Sequence, residues 1–158
     1  VGLFKENLCP GTEDWDYWIR TAEKHKLFHI NERLTMYRRI EGSSSRARLD
    51  KLLEELITMI TDAAKRNQLS EAMLNQAVAH LYRESAVRRA SALDGRGAMR
   101  DLAEAAELSG WRAKDILLYG VQFMPRPARK KLLELKRFID RRRALKAARL
   151  LGIENEEL

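Results

Sequence analysis

Apolar side chains recur at helical spacing from residue 46 to nearly the end of the chain, and this periodicity restricts the fold more than any other feature. The same region is rich in Ala, Leu, Glu, Lys and Arg, which favour helix. Glycine and proline, which interrupt regular elements, number only eight and three in 158 residues. A chain of this length can bury one ordinary hydrophobic core. We therefore predict a mainly helical protein, in the form of a helical bundle.

Interruptions in the periodicity divide this region into five predicted helices. They cover residues 47–66, 70–93, 97–108, 113–123 and 126–149. The second and third, which are joined at Asp94-Gly95, carry small residues at regular positions and resemble one tetratricopeptide-like hairpin. Because a solenoid normally needs three or more repeats, a small helical bundle is the favoured interpretation.

A further helix is predicted directly after the Pro10-Gly11 turn. Thr12 is expected to be its N-cap, and the acidic residues that follow would lie at the positive end of the helix dipole. Trp15 and Trp18 recur at helical spacing. We expect both rings to face inward.

Two short apolar runs after this helix, at residues 27–30 and residues 34–39, are β-prone and predict two strands or extended segments. A serine-rich break then begins at Gly42, and the helical pattern starts behind it. The predicted divisions are a small α/β unit over residues 1–46, a helical bundle over residues 47–124 and a basic amphipathic helix over residues 125–158.

Residues 11–20 concentrate three carboxylates, three aromatic rings and an arginine. The run VGLFKENLCPGTEDWDYWIR, followed by FHINERLTMYRRIEGSSSR, resembles the C-terminal part of the catalytic domain of family-2 inverting glycosyltransferases, which have the GT-A fold. The resemblance covers about residues 1–46 and rests on a Glu-Asp pair, a Trp-x-x-Trp-x-Arg helix and a Tyr-Arg motif in the same order. It implies that the N-terminal unit is a remnant of a GT-A domain and the whole chain a fragment of a longer enzyme.

The resemblance implies transfer of a sugar, with inversion, from a nucleotide-sugar donor to a hydroxyl of a glycan or lipid-linked acceptor, as in cell-surface polysaccharide synthesis. Asp14 then corresponds to the general base, and Glu13 to a neighbouring group that binds or orients the acceptor. Trp15, Trp18 and Arg20 would shape the substrate pocket.

The resemblance also implies a divalent cation, Mn²⁺ or Mg²⁺, but only in the full-length enzyme. This sequence has no Asp-x-Asp behind an apolar strand and no preceding β/α half to hold a nucleotide. We therefore expect this chain alone to bind no metal and to be inactive.

Each of these residues also has a purely structural interpretation. The two neighbouring acids can stabilise the helix dipole, the two tryptophans can anchor a core, and Arg20 can pair with Asp16 one turn before it. The three histidines lack metal-ligand spacing and are expected to be structural or solvated. For the chain as a whole, the alternative to an enzyme is a helical module that binds a protein partner.

Positive charge is concentrated near the C-terminus. The net charge is +7, and residues 126–149 hold eleven basic and only two acidic residues, interleaved with Leu, Ile and Phe. This pattern is typical of a helix that lies on an anionic membrane surface, and the alternative is a solvated helix that covers the bundle. Nucleic acid is the less favoured partner.

The sequence shows neither a membrane span nor a secretion signal. No apolar run reaches the roughly 18 residues of a transmembrane helix, and the first residues lack the basic-then-apolar signal pattern. Cys9 is the single cysteine, which excludes an internal disulfide. We expect a cytoplasmic protein, with the basic helix as a means of peripheral attachment at the inner face of the membrane.

Overall fold

The computed structural model describes residues 1–9, 11–32 and 49–150, with only the backbone described at 137, 141 and 143–150. These residues contain six helices and no strand. The helices are α1 (Glu13–Ala22), α2 (Leu49–Arg66), α3 (Glu71–Ser91), α4 (Gly95–Ser109), α5 (Ala113–Val121) and α6 (Arg126–Leu150). The prediction of a mainly helical bundle is confirmed.

Local sequence signals place the helix ends close to the predicted breaks. The Ser70 hydroxyl accepts a hydrogen bond from the Met73 amide (3.3 Å) at the start of α3, and the Asp94 carboxylate accepts one from the Gly97 amide (2.9 Å) at the start of α4. Gly110, with a positive φ of 75°, follows the last residue of α4. Capping side chains and a glycine that can be recognised in the sequence therefore set these helix limits.

Of the two alternatives predicted for residues 27–30, the strand is wrong, because that segment follows α1 without forming any regular element. Leu27, Phe28 and Ile30 are instead exposed to solvent. A short apolar run becomes a strand only when a second strand supplies its hydrogen bonds, and none is present among the described residues. The second predicted strand, residues 34–39, lies outside the described residues. The described chain thus gives no support to a GT-A remnant with a sheet.

The hairpin predicted around Asp94-Gly95 is present as α3 and α4, which form the most extensive helix pair of the described chain. Its interface is built from small residues that are completely buried. They are Ala79, Ala86, Ala98 and Ala105. Small side chains let two helix axes approach closely, and Leu102 fills the remaining space.

A second interface joins α2 to α3 through aliphatic side chains. Leu53, Leu56 and Leu81 form its buried core. Partly buried residues surround them, namely Leu52, Ile57, Met59, Ile60 and Tyr82. In contrast, α1 makes only a small contact with α2, and α6 makes no extensive contact with any other described helix.

Ion pairs centred on one buried arginine connect the same helices. Arg89 of α3 donates to Asp101 of α4 (Nε to Oδ2, 2.7 Å), to Asp94 (3.1 Å) and to Asp50 at the start of α2. Asp101 is completely buried and also accepts a hydrogen bond from the Ser85 hydroxyl (2.6 Å). Desolvation alone would lower the pKa of Arg89, but its carboxylate partners outweigh that effect and raise it. Arg89 therefore stays charged in the core.

Arg83 of α3 plays a similar part where α4 ends and α5 begins. It donates to Asp115 of α5 (2.8 Å), to the Ser109 hydroxyl (2.9 Å) and to the carbonyl oxygen of Gly110 (2.8 Å). These bonds satisfy the turn between α4 and α5, whose backbone groups would otherwise lack partners. One arginine thus fixes where α5 begins.

The variant Arg89→Met tests the central ion-pair network. It is expected to lower the free energy of unfolding by about 3 kcal/mol, because it leaves the Asp101 carboxylate buried without its principal cation. Urea denaturation followed by circular dichroism measures the change. The matched control is Arg96→Met on the exposed side of α4, where we expect a change within about 0.5 kcal/mol. Equal losses in the two variants would contradict a structural role for the network.

Candidate functional site

A cleft of about 350 Å³ lies at the junction of the start of α1 with α2 and α3. The α1 end contributes Gly11, Asp14 and Trp15. Aliphatic side chains from α2 cover most of the apolar lining, and they are Leu49, Leu52, Leu53 and Leu56. Two of the five predicted site residues, Asp14 and Trp15, therefore border a cavity of a size that small-molecule sites use.

Asp14 is exposed at the first turn of α1, on the border of this cleft. Its Oδ1 accepts a hydrogen bond from the Trp15 amide (2.8 Å). Within the described part of the chain, no basic side chain forms an ion pair with it. The carboxylate is thus accessible from the cleft, as a general base must be.

Glu13 occupies a different environment from its neighbour. Its Oε2 accepts hydrogen bonds from the amides of Gly11 (2.6 Å) and Thr12 (3.0 Å). Hydrogen bonding to its own backbone amide, and then to that of Gly11, lowers the pKa of Glu13. Glu13 closes the turn before α1, which favours its structural interpretation over a role in binding the acceptor.

The two tryptophans do not face inward, so that prediction is wrong. Trp15 is 46% exposed and Trp18 is 57% exposed. Because α1 packs on the bundle only through a small contact with α2, the other helices do not cover the two rings. Trp15 borders the cleft, whereas Trp18 lies outside it and packs edge-on against Tyr17, with ring centroids 5.9 Å apart.

The buried residue of α1 is Asp16, which the sequence reading treated only as a partner of Arg20. Asp16 accepts hydrogen bonds from Lys5 Nζ (2.7 Å) and Arg20 Nε (2.8 Å). Arg20 also donates to the carbonyl oxygens of Val1 and Leu3. Burial raises the pKa of Asp16, but the two cations outweigh it and the net shift is downward. The guanidinium of Arg20 therefore fastens residues 1–5 to α1 and does not border the cleft.

Glu55 of α2 is a positioning residue that sequence reasoning missed. It accepts hydrogen bonds from the Cys9 amide (2.8 Å) and the Thr12 hydroxyl (2.7 Å). Thr12 does occupy the N-cap position, but its single hydroxyl proton is shared between Glu55 and the Cys9 carbonyl oxygen, and the hydroxyl accepts no hydrogen bond from the helix. Burial raises the pKa of Glu55, and these hydrogen bonds lower it by more. Glu55 thereby sets the position of the turn that carries Asp14.

The α3 side of the cleft was also missed. His80, Glu84 and Arg88 border it from successive turns, and all three are exposed. In the sequence they look like the solvated face of a helix, because only the tertiary structure brings them opposite α1. The cleft therefore combines an aliphatic lining with both acidic and basic groups.

Among the described residues, His, Cys and carboxylate side chains form no group of three that could hold a metal ion. No described helix has the length and apolar character needed to cross a membrane. Comparisons with family models, with curated proteins and with solved structures give no match to this chain.

Acid is expected to release the turn that Glu55 holds. Because the folded pKa of Glu55 lies below its ordinary value of 4.5, this stabilisation is complete above about pH 4.5 and is lost as the pH falls through the lower folded pKa. The buried thiol of Cys9 should then react faster with dithiodipyridine, a reagent that works at acid pH.

The variant Glu55→Gln is expected to label at Cys9 roughly tenfold faster at neutral pH, because a neutral acceptor forms weaker hydrogen bonds than a carboxylate. It should also lack most of the acid-dependent increase. Glu54→Gln, a change at the exposed neighbouring position, is the control and should behave like the original chain. Identical pH profiles for the two variants would show that Glu55 does not hold the turn.

Proposed function

We propose that this chain belongs to an inverting glycosyltransferase in which Asp14 is the general base. The observation that carries the proposal is that three neighbouring acids have different environments. Glu13 and Asp16 accept structural hydrogen bonds, whereas Asp14 borders the cleft and has no ion-pair partner among the described residues. The order of motifs in residues 1–46 supports the same assignment.

In this proposal an acceptor hydroxyl enters the cleft and donates its proton to the Asp14 carboxylate while its oxygen attacks the anomeric carbon of the donor sugar. The bond from that carbon to the nucleotide diphosphate breaks on the opposite face, which inverts the configuration. Trp15, the next residue, offers a flat aromatic face beside the acceptor. Positioning by the Glu55-held turn would keep the base within hydrogen-bond reach of the hydroxyl.

Exposed apolar side chains near the N-terminus also fit this proposal. Leu3 is 89% exposed and Phe28 is 86% exposed, and Phe4 and Ile30 are exposed as well. Exposed apolar side chains on both segments that flank α1 are unfavourable in water, and a donor-binding half of the catalytic domain would cover them. The donor and any divalent cation would belong to that half, so this chain alone is expected to be inactive.

The variant Asp14→Asn tests the assignment in the longer protein that carries the donor-binding half. It is expected to lower kcat for sugar transfer by a factor of about 10² to 10⁴, because the amide cannot accept the proton, while nucleotide-sugar binding stays unchanged. Transfer of labelled sugar and calorimetric donor binding measure the two effects. Asp62→Asn, the same change at an exposed site on α2, should leave both unaltered. Undiminished transfer in Asp14→Asn would show that Asp14 is not the base and only stabilises the helix dipole.

A second candidate function is that of a non-enzymatic helical module that attaches to an anionic membrane surface through α6. Leu132, Leu135 and Ile139 lie three and four residues apart on α6, and all are exposed. Exposed Lys131 and Lys136 accompany them. Since α6 has no extensive contact with the other described helices, this surface is open for such binding. The attachment would place the protein at the inner face of the membrane.

The variant Leu135→Asp is expected to weaken sedimentation with vesicles of phosphatidylcholine and phosphatidylglycerol by roughly tenfold, because it removes a leucine that would insert into the membrane and adds repulsion from the anionic lipid. Binding by the original chain should fall as salt rises and be weak on pure phosphatidylcholine. Leu69→Asp, which alters another exposed leucine, is the matched control. Vesicle binding that depends neither on anionic lipid nor on salt concentration would contradict the membrane function.

A further inference from the structure

Arg88 differs from the other two arginines of α3. Arg83 and Arg89 are buried and held by structural ion pairs. Arg88 is exposed, borders the cleft, and forms no ion pair within the described part of the chain. Its guanidinium therefore keeps its full capacity to bind an anion that enters the cleft, which planar paired N–H donors do well.

The distribution of charge across the cleft defines where such an anion would lie. Asp14 carries negative charge on the α1 side, and Glu84 carries it one turn before Arg88 on the α3 side. An anionic group is repelled by both carboxylates, so the favourable position is at the Arg88 end of α3. His80 lies two turns further back on the same side and gives the cleft a second nitrogen donor.

The remaining lining is apolar. Four leucines of α2 and Leu81 of α3 line the cleft, and they cannot satisfy the hydroxyl groups of an all-polar ligand. They favour a ligand with an aliphatic part, which gains free energy when it leaves water. A ligand that suits both features is an alkyl chain that carries a phosphate or a similar anionic group.

We infer that the cleft binds an anionic amphiphile, with Arg88 contacting its phosphate group and the leucines contacting its aliphatic part. The identification of this ligand as the acceptor rests on the proposed function, in which its hydroxyl would face Asp14. Binding itself does not rest on it. Arg88 would thus make the cleft prefer an anionic ligand, and it lies on α3, opposite the proposed base on α1.

Titration of the full 158-residue chain with octyl phosphate below its micellar concentration tests this inference. Inorganic phosphate and octyl glucoside are the comparison probes, since they supply the anion alone and a neutral amphiphile alone. We expect saturable binding that is strongest for octyl phosphate, measured by calorimetry and by the change in tryptophan fluorescence, to which Trp15 at the cleft contributes. The variant Arg88→Gln should weaken it roughly tenfold, the loss of one charge-assisted contact.

Three further variants separate the possible failures. Arg96→Gln removes the same charge from the exposed side of α4 and should leave binding unchanged. Arg88→Lys should restore part of the affinity, and a thermal melt should show that Arg88→Gln is folded. Equal binding by Arg88→Gln and Arg96→Gln, or no saturable binding, would overturn the inference. The titration uses no nucleotide sugar, so a failed glycosyltransferase proposal would show in the transfer assay and not in this titration.

Discussion

The ion pair between Arg89 and Asp101 is the interaction on which the rest of the bundle depends. It joins α3 to α4, and through Asp50 it also fixes the start of α2. Both charges lose water, so the Coulombic attraction and the added hydrogen bonds from Ser85 and Arg100 must offset a large desolvation penalty. Burying these charges is unfavourable when any partner is missing. The pairing therefore favours the one arrangement of α2, α3 and α4 in which all partners are present. That arrangement also decides where α2 and α3 border the cleft.

Glu55 repeats this principle at the junction of α1 with α2. The contact between these helices is small, and a carboxylate on α2 compensates by binding two donors of the preceding turn. Glu13 and Asp16 complete the turn and the N-terminal attachment. Glu55, Glu13 and Asp16 make these structural hydrogen bonds. Within this short acidic run, Asp14 is thus the carboxylate that borders the cleft.

The helices could be predicted from the sequence because their periodicity, caps and breaks are local. The strand at residues 27–30 could not, since a strand depends on a partner that may lie anywhere in the chain. The same limit explains Trp15 and Trp18, whose spacing predicts a buried face only if a neighbouring helix covers it. Asp14 was predicted as a site residue from its motif, and its role stays a prediction. The place of Arg88 at the cleft could not be predicted, because it depends on what folds opposite to an exposed polar residue.

The position of Arg88 follows from that of Arg89. Consecutive residues of a helix point roughly 100° apart, so a buried Arg89 directs Arg88 toward the border of the core. Here that border is the cleft. Fixing Arg89 between Asp101, Asp94 and Asp50 therefore also fixes the direction in which Arg88 presents its charge. The network that orients the three helices thus also sets the geometry of the α3 side of the cleft, and under our proposal a substitution that loosens Arg89 would weaken anion binding at Arg88 as well as the fold.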